Sequence, residues 1–251
     1  MSKVIAIINQ KGGVGKSTTA QAIGAGLILR GFSVLFVDLD AQGNLSYTMG
    51  ADTRGYNALG VLERPETIRD EIQHTPSGDI IASSPKLAGA DKLIEDTGKE
   101  YRLKEALDSL HGEYDFIIVD TPPALGVLTV NALTACTGAI IPAQADIYSL
   151  QGVAQLNGTI EAIKRYCNPG LSVMGIVITR YNGRATIRRE IAETLEKVAG
   201  QLHTKLYETK IRECISIVEA QTKRKPIYLY APRSNASKDY HALVDEILKG
   251  E

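Results

Sequence analysis

The amino-acid sequence predicts an α/β fold, a mostly parallel, twisted β-sheet with helices on both faces. Short apolar runs alternate with helical patterns throughout the chain, which is typical of a parallel sheet covered by helices. The runs also contain almost no polar residue, as strands buried on both faces require. The predicted strands cover residues 3–8, 33–37, 115–119, 138–143 and 172–179.

Helical patterns lie between and after the predicted strands. The first helix follows a glycine-rich loop and ends at Gly31, a residue type common just past a helix end. No repeat, low-complexity segment or Pro/Ser linker divides the chain, so we expect a single domain over residues 1–251. The predicted helices cover residues 17–30, about 150–166, about 186–199, about 214–222 and about 235–249, with a turn and a further helix within 121–136.

The composition describes a chain that can bury a full core. Of its 251 residues, 44% are hydrophobic and 23% are charged. Cys136, Cys167 and Cys214 lie far apart without a C-x-x-C pair, so reduced thiols are expected rather than a disulfide framework or a zinc ribbon. No basic segment precedes an apolar run at the start, and no stretch approaches the roughly 20 apolar residues that span a bilayer. We therefore expect a soluble, cytoplasmic protein.

Charge is unevenly distributed along the chain, although the formal net charge is only −1. Residues 180–233 contain 12 Lys and Arg against 6 Asp and Glu, a net charge of +6, and the remainder has a net charge of −7. Basic residues are therefore concentrated in the C-terminal third, as in chains that carry a surface for nucleic acid.

A phosphate-binding loop is indicated at "NQKGGVGKSTT", residues 9–19. Its glycines let successive N–H groups point into one concavity, to which the following helix adds its positive end. Lys16 is expected to contact the β- and γ-phosphates, the Ser17 hydroxyl to ligate Mg²⁺, and Thr18 to bond a nearer phosphate. The alternative, a glycine-rich turn with a solvated lysine, is disfavoured by the succession of strand, loop, Gly-Lys-Ser and helix. The predicted loop contacts are Gly12, Gly13, Val14, Gly15, Lys16, Ser17 and Thr18.

The loop departs from the pattern G-x-x-x-x-G-K-[ST] at its first position. Gln10 stands where glycine is expected, and an additional lysine, Lys11, follows it. This second lysine has no role in an ordinary phosphate loop.

Acidic residues follow two further strands. Asp38 and Asp40 flank the end of one strand in "VDLDAQGN", and Asp120 ends another in "FIIVDTPP". Ligands of such sheets bind at the carboxyl ends of strands, where these carboxylates can hold Mg²⁺, polarise its water shell or orient an attacking water. Taken alone, the first pair also suits a helix cap or turn, and an aspartate after a buried strand is common. The phosphate loop favours the metal-binding interpretation.

Four stretches together resemble one family. "KGGVGKST", "VDLDAQGN", "FIIVDTPPALGVLTVNAL" and "IPAQADIYSLQGVAQL" resemble the ParA/Soj/MinD group of deviant Walker A ATPases, and the last two resemble ParA and Soj in particular. The resemblance extends from residue 3 to "YAPRSNASKDYHALVDEIL" near the C-terminus. It implies a single-domain P-loop NTPase fold, a Mg²⁺-dependent ATPase activity with slow turnover, and ATP and Mg²⁺ as cofactors.

The resemblance also implies roles for the second lysine and the aspartates. Members of the family form a homodimer around two ATP molecules, in which the position of Lys11 reaches the phosphates of the other subunit and Lys16 acts within its own. Asp40 matches the family's hydrolysis aspartate. Asp38 lies beside it, and Asp120 matches the residue on the metal's water shell.

The contacts to the base are less clearly transferred. The family uses the segment before the last helix, which indicates Pro232 and Arg233 in this chain. Thr179 stands where MinD-like members carry an adenine-contacting asparagine, so that contact is not expected here.

DNA partitioning is the function that the resemblance implies. Relatives that segregate plasmids or chromosomes bind double-stranded DNA nonspecifically as ATP-bound homodimers on the nucleoid, and a ParB-like centromere-binding partner stimulates the hydrolysis that releases it. Such contacts go to phosphates and weaken with salt. In "IRECISIVEA" Arg212 replaces a proline of Soj-like members and Ser216 replaces an arginine, which predicts a shifted DNA footprint. A solvated face is the alternative for any one cluster. The predicted DNA contacts are Arg184, Arg188, Arg189, Arg212, Lys223, Arg224 and Lys225.

Other members of the superfamily supply the alternatives. A MinD-like positioning ATPase that does not act on DNA requires a basic amphipathic C-terminal helix, whereas "DYHALVDEILKGE" is short and acidic. An iron–sulfur ATPase requires paired cysteines, and a synthetase requires a substrate pocket that no motif indicates. Because the phosphate loop begins within ten residues of the start, no N-terminal helix-turn-helix domain is expected.

Overall fold

The computed structural model describes residues 2–182 and 186–250, with the backbone alone for residues 186–189. Its sheet has seven strands in the order β3-β4-β2-β5-β1-β6-β7. Only the edge pair β3–β4 is antiparallel among the strand pairs of the described chain. The strands are β1 Lys3–Ile7, β2 Val34–Asp38, β3 Ile72–Thr75, β4 Gly78–Ile81, β5 Phe116–Asp120, β6 Gly138–Gln144 and β7 Ser172–Thr179.

Helices connect the strands and cover the sheet. The longest is α8, which follows β6 and has 20 residues. In the described part of the chain, no helix has the length and apolar character needed to cross a membrane. The helices are α1 Lys16–Ile28, α2 Asn44–Met49, α3 Ala58–Glu63, α4 Ile68–Glu71, α5 Ala90–Leu93, α6 Arg102–Asp108, α7 Val127–Ala135, α8 Ile147–Tyr166, α9 Thr186–Gln201, α10 Ile215–Thr222, α11 Ile227–Tyr230 and α12 Asn235–Lys249.

The core lies on both faces of the sheet because successive residues of a strand point to opposite sides. In β1, Ala6 belongs to one apolar cluster, whereas Ile5 and Ile7 belong to the other. The first cluster packs under α3 and α6 to α9. The second packs under α1, α2 and α10 to α12, so the C-terminal helices share a face with the helix that follows the phosphate loop.

The predicted fold class is confirmed: a mostly parallel sheet of the P-loop NTPase type, with helices on both faces. The five predicted strands are present with shifts of one residue at some ends. The hairpin β3–β4 and the short helices α2 to α6 were not predicted. The sequence of β3, "IQHT", is polar and only partly buried because the strand lies at the sheet edge, and helices of four to seven residues are too short to show a period.

Helix α1 packs closely against the sheet at Gly24. A Cβ atom built there would overlap the ring of Phe36 on β2, whereas a Cβ at Gly158 of α8 would contact nothing within 4 Å. We expect Gly24→Ala to lower the free energy of unfolding by about 1–3 kcal/mol, because the buried ring must shift. The control Gly158→Ala should be neutral or stabilising by up to about 1 kcal/mol. Urea unfolding of both variants tests this, and equal stability of the two would contradict the packing described.

Candidate nucleotide-binding site

The loop between β1 and α1 forms an anion-binding concavity. Gly13 and Gly15 have φ values of +74° and +90°, in the left-handed region that favours glycine. Gly15 is the N-cap of α1, and no side chain caps this helix. The N–H groups of its first turn are therefore available to an anion, and the helix dipole adds to the attraction.

A cavity of about 540 Å³ opens over this loop. Of the predicted residues, Gly12, Gly13, Gly15, Lys16, Ser17, Thr18 and Asp40 line it. Val14 is fully buried beneath the loop instead. The remaining lining residues were not predicted: Gln42, Asn44 and Pro123 lie within "VDLDAQGN" and "FIIVDTPP" but had no assigned role, and Tyr47, Thr48 and Gln221 come from α2 and α10 outside any motif.

Two carboxylates lie side by side at the edge of the sheet beneath this cavity. β2 and β5 are parallel neighbours, and their register makes Asp38 and Asp120 direct partners. Both residues are fully buried. Asp38 accepts hydrogen bonds from the Ser46 N–H and hydroxyl at 2.8 and 2.7 Å and from the Asp40 N–H at 3.1 Å. Among the described residues, no side chain or backbone group meets the geometry of a hydrogen bond to either carboxylate oxygen of Asp120, although the Ser17 hydroxyl lies nearby.

Burial and mutual repulsion shift the pKa values of this cluster. Desolvation raises the pKa of Asp38 to about 6, although the hydrogen bonds from Ser46 act to lower it. Desolvation and the charge of Asp38 raise the pKa of Asp120 well above its ordinary value, although Ser17 and Lys16 act to lower it. Desolvation also lowers the pKa of Lys16, although the nearby carboxylates oppose this. Burial thus disfavours the charged form of each of these groups.

The residues present fit a magnesium ion. The unpartnered carboxylate of Asp120 and the Ser17 hydroxyl at the cavity wall are oxygen donors of the kind that Mg²⁺ prefers. Within residues 2–182 and 186–250, no three His, Cys, Asp or Glu side chains form a metal cage, so Asp38, Asp40 and Asp120 do not surround a single point. This arrangement suits Mg²⁺, which keeps several waters and is bound through substrate phosphates.

Lys11 does not line the cavity above its own loop. Its Nζ lies 2.5 Å from Oδ2 of Asp146 and 3.4 Å from Oε1 of Gln144, both at the end of β6. Asp146 is partly buried, which acts to raise its pKa, but the hydrogen bond and charge of Lys11 lower the pKa overall. The Gln144 amide also donates to the Gly13 carbonyl at 3.1 Å, so this strand end holds the loop.

A second cavity, of about 490 Å³, adjoins the first and shares Gly13, Gly15, Thr18 and Gln221 with it. Its other walls come from residues 179–180, 211–218 and Tyr240. Pro232 and Arg233, predicted as base contacts, are exposed and line neither cavity.

Thr179 is a structural residue of the second cavity. Its hydroxyl donates to the Val14 carbonyl at 2.7 Å, so the end of β7 supports the backbone of the phosphate loop. The side chain is 3% exposed. Sequence reasoning noted this residue only for the contact it lacks.

The predicted DNA contacts are placed very differently from one another. Arg184 and the side chains of Arg188 and Arg189 lie outside the described residues. The guanidinium of Arg212 is engaged by Asp239, with Nη2–Oδ1 and Nε–Oδ2 distances of 2.6 and 2.9 Å, and its backbone N–H donates to the same carboxylate. Asp239 neutralises the charge of Arg212 in part, and the arginine side chain is 46% exposed, so the DNA contact of Arg212 stays a prediction. Lys223, Arg224 and Lys225 are exposed at the C-terminal end of α10.

The fold and the site define a P-loop NTPase. A glycine loop lies at a helix N-terminus, Lys16 lines the cavity above it, and carboxylates lie at the ends of adjacent strands. A family model described as an AAA domain matches residues 2–173. The sporulation initiation inhibitor protein Soj of Bacillus subtilis is 37% identical over 252 residues, which cover 98% of each chain. The chromosome partitioning protein ParA of Myxococcus xanthus is 36% identical over 99% of this chain and 89% of its own. The chain belongs to the ParA/Soj family of partitioning ATPases.

Solved structures agree with the fold and with the predicted cofactors. Cobyrinic acid a,c-diamide synthase of Mycobacterium smegmatis, with bound ADP and magnesium, is 33% identical with a TM-score of 0.83 over 99% of this chain and 95% of its own. Apo McdA from Cyanothece, at 22% identity, has a TM-score of 0.88 over 99% of this chain and 100% of its own, which shows the fold alone. Homologous structures thus contain the cofactors that the sequence predicts, an adenine nucleotide and Mg²⁺.

The raised pKa of Asp38 makes the stability of the nucleotide-free protein depend on pH. The folded state holds this proton more tightly than the unfolded chain, so the stabilisation is complete below about pH 4 and is lost as the pH rises through about 6. A shift from 3.8 to about 6 corresponds to at most roughly 3 kcal/mol.

We expect urea unfolding in EDTA to show a free energy of unfolding that falls between pH 5 and 7.5, with a smaller slope in Asp38→Asn, whose amide does not titrate. The comparison concerns the slopes, since the amide also changes the hydrogen bonds to Ser46. Identical slopes for the two proteins would show that Asp38 is not a source of this pH dependence.

Proposed function

We propose that the protein is an ATP-dependent DNA-partitioning ATPase. Two ATP-bound copies form a sandwich dimer that binds double-stranded DNA nonspecifically, and hydrolysis, stimulated by a ParB-like partner, releases the DNA. This cycle drives the segregation of a plasmid or a chromosome, and it places the protein in the cytoplasm on the nucleoid. We also propose that residues 1–251 act as one ATPase domain.

The position of the Lys11 side chain, outside the cavity of its own loop, is the main observation that supports this proposal. A second lysine within the phosphate loop lies outside its own phosphate cavity and is paired with Asp146 at the surface, with the lysine side chain 26% exposed. An ordinary phosphate loop needs no such cation. A lysine held at the rim of the site is well placed to complete the site of a second copy, because its one charged partner there is a carboxylate, which phosphate oxygens can replace.

Within one copy, each residue of the cavity has a distinct task. The loop N–H groups and Lys16 bind the β- and γ-phosphates, and Ser17 and Asp120 hold the metal ion or its waters. When bound, Mg²⁺ supplies positive charge that the phosphates share. Asp40 lines the cavity and orients the attacking water. Its Oδ1 accepts the Gln42 N–H at 3.0 Å, which fixes the carboxylate.

The second cavity is the proposed site of the base. It is continuous with the phosphate loop and has a volume suited to a purine with part of its ribose. This placement is preferred to contacts from Pro232 and Arg233, which lie outside both cavities. Gln221 of α10 stands between the two cavities and donates to the Thr18 hydroxyl at 2.8 Å.

The presence of the γ-phosphate favours assembly of the dimer, and its loss favours release. If Lys11 contacts the phosphates of the other copy, the negative charge of ATP is fully compensated only in the dimer. ATP therefore favours the dimer. Hydrolysis removes the γ-phosphate contacts and with them the advantage of the dimer. A process of this kind suits a switch with slow turnover.

A synthetase is the second candidate, because the homologous structure with bound ADP and magnesium is named as a diamide synthase. An ATPase activity that requires a small carboxylic acid substrate would favour the synthetase. Stimulation by DNA together with the N-terminal peptide of a ParB-like protein would favour partitioning.

The first test of the proposal is Lys11→Ala. We expect binding of a non-hydrolysable ATP analogue to remain within a few-fold of wild type, because Lys11 does not line its own cavity, and the analogue-dependent dimer to be lost. Light scattering after gel filtration measures the dimer, and a fluorescent analogue measures binding. Lys92→Ala, at an exposed lysine of α5, is the matched control. A dimer of normal stability in Lys11→Ala would show that Lys11 does not complete the site of the second copy.

The second test concerns the basic turn after α10. We expect the double variant Lys223→Ala/Lys225→Ala to weaken analogue-dependent DNA binding equally for unrelated sequences and to reduce the slope of log affinity against log salt by about 2, one unit for each lost phosphate contact. Exposed Lys86 and Lys92, in a segment that packs on the opposite face of the sheet, supply the control pair for the same substitutions. An unchanged slope would place the DNA surface elsewhere.

A further inference from the structure

Helix α10 ends in a turn that carries an arginine where glycine is favoured. The Lys225 N–H donates to the Ala220 carbonyl and the Arg224 N–H to the Gln221 carbonyl, both at 3.0 Å, which is the hydrogen-bond pattern of a Schellman motif. Arg224 has a φ of +50°, the left-handed conformation that this motif requires of the residue after the cap. A side chain kept in a disfavoured conformation at an exposed position indicates a function for that side chain.

The side chain of Arg224 stacks on Tyr47. The guanidinium carbon lies 4.3 Å from the centroid of the Tyr47 ring, within the range of a cation–π contact. Tyr47 belongs to α2 and lines the phosphate cavity, although half of the residue is exposed. Arg224 itself does not line that cavity. The arginine therefore contacts a wall residue of the nucleotide site from outside.

Helix α2 is fixed to the carboxylate cluster immediately before Tyr47. Ser46 donates its N–H and hydroxyl to one oxygen of Asp38, at 2.8 and 2.7 Å. A second connection leads from the same turn to the phosphate loop, since Gln221, three residues before Arg224, donates to the Thr18 hydroxyl at 2.8 Å. Both Asp38 and Thr18 bear groups that a bound Mg²⁺–nucleotide would attract. The turn is thus connected to the two sides of one cavity.

We propose that the contact between Tyr47 and Arg224 couples occupancy of the phosphate cavity to the basic turn of residues 223–225, so that Arg224 positions Lys223 and Lys225 for DNA instead of contacting DNA itself. This inference rests on the proposed function. Filling the cavity changes the partners of Asp38 and Thr18, and the change reaches the turn through Ser46 and Tyr47 on one side and through Gln221 on the other. Part of the nucleotide dependence of DNA affinity then comes from a change in the geometry of the turn, in addition to the part that comes from dimer formation.

Variants of Tyr47 test this coupling without changing any charge. DNA affinity is measured with and without a saturating ATP analogue, so that differences in nucleotide affinity do not enter, and the quantity compared is the ratio of the two. Tyr47→Leu removes the ring and should lower this ratio by roughly fivefold, the size expected of one cation–π contact. Tyr47→Phe retains the ring and should keep the ratio of wild type. Tyr56→Leu, at another exposed tyrosine, is the control.

Arg224→Gly tests the other partner and is compatible with the fold, because glycine adopts the left-handed conformation at no cost. It should lower the ratio as much as Tyr47→Leu does, and the double variant should lower it no further, as expected of residues that act through one contact. An unchanged ratio in Tyr47→Leu would overturn the coupling. So would an Arg224→Gly variant that loses affinity equally with and without nucleotide, since this is the behaviour of a direct phosphate contact.

The failure of the coupling can be told apart from the failure of the proposed function. If the wild-type protein binds DNA equally with and without the analogue, nucleotide-dependent DNA binding is absent, and both the proposed function and the coupling are wrong. If the wild-type protein shows the nucleotide dependence and Tyr47→Leu retains it, only the coupling is wrong.

Discussion

The placement of two buried carboxylates side by side is the constraint on which the rest of the site depends. The parallel register of β2 and β5 puts Asp38 opposite Asp120, and neither residue reaches solvent. Desolvation raises the pKa of both carboxyl groups, and each charge disfavours the other, so a cation beside them is stabilising. Lys16 lies near these carboxylates, but its own burial lowers its pKa and so disfavours its charged form. The two carboxylates therefore favour the binding of a cation below the phosphate loop, and Mg²⁺ bound with a nucleotide would supply that positive charge.

The two lysines of the loop differ in their surroundings, and this difference separates their tasks. Lys16 begins α1 and is 7% exposed within the cavity, whereas Lys11 is paired with Asp146 at the N-terminus of α8. Asp146 is also the N-cap of α8, since its other oxygen accepts the Ser149 N–H at 2.9 Å. The carboxylate is therefore held in place whether or not Lys11 is present. A fixed partner keeps the lysine close to the loop, and in the proposed dimer phosphate oxygens from a second copy would compete with one partly exposed ion pair, which is a weak contact.

The sequence predicted the chemistry of the site better than its walls. Gly13, Lys16 and the aspartates could be found because phosphate binding needs particular residue types at particular spacings, and buried parallel strands are recognisable as apolar runs. Tyr47 and Gln221 could not, because they are ordinary residues brought to the cavity by tertiary packing of short helices. The polar edge strand β3 gave no periodic signal, and the clamp of Arg212 by Asp239 joins residues 27 positions apart, a distance that no local pattern reveals.

The C-terminal third of the chain is a wall of the nucleotide site as well as the basic part of the molecule. Helices α10 to α12 pack on the same face as α1, and Tyr240 of α12 makes a buried contact with the Thr19 hydroxyl at 3.3 Å. Helices α10 to α12 are therefore packed against the helix that follows the phosphate loop. Because α10 supplies both Gln221 at the cavity and the basic turn at its end, a change at the phosphates needs to travel only one helical turn to reach the turn's lysines. Such a short path requires no domain movement, and a rearrangement of a few side chains at one helix end is sufficient.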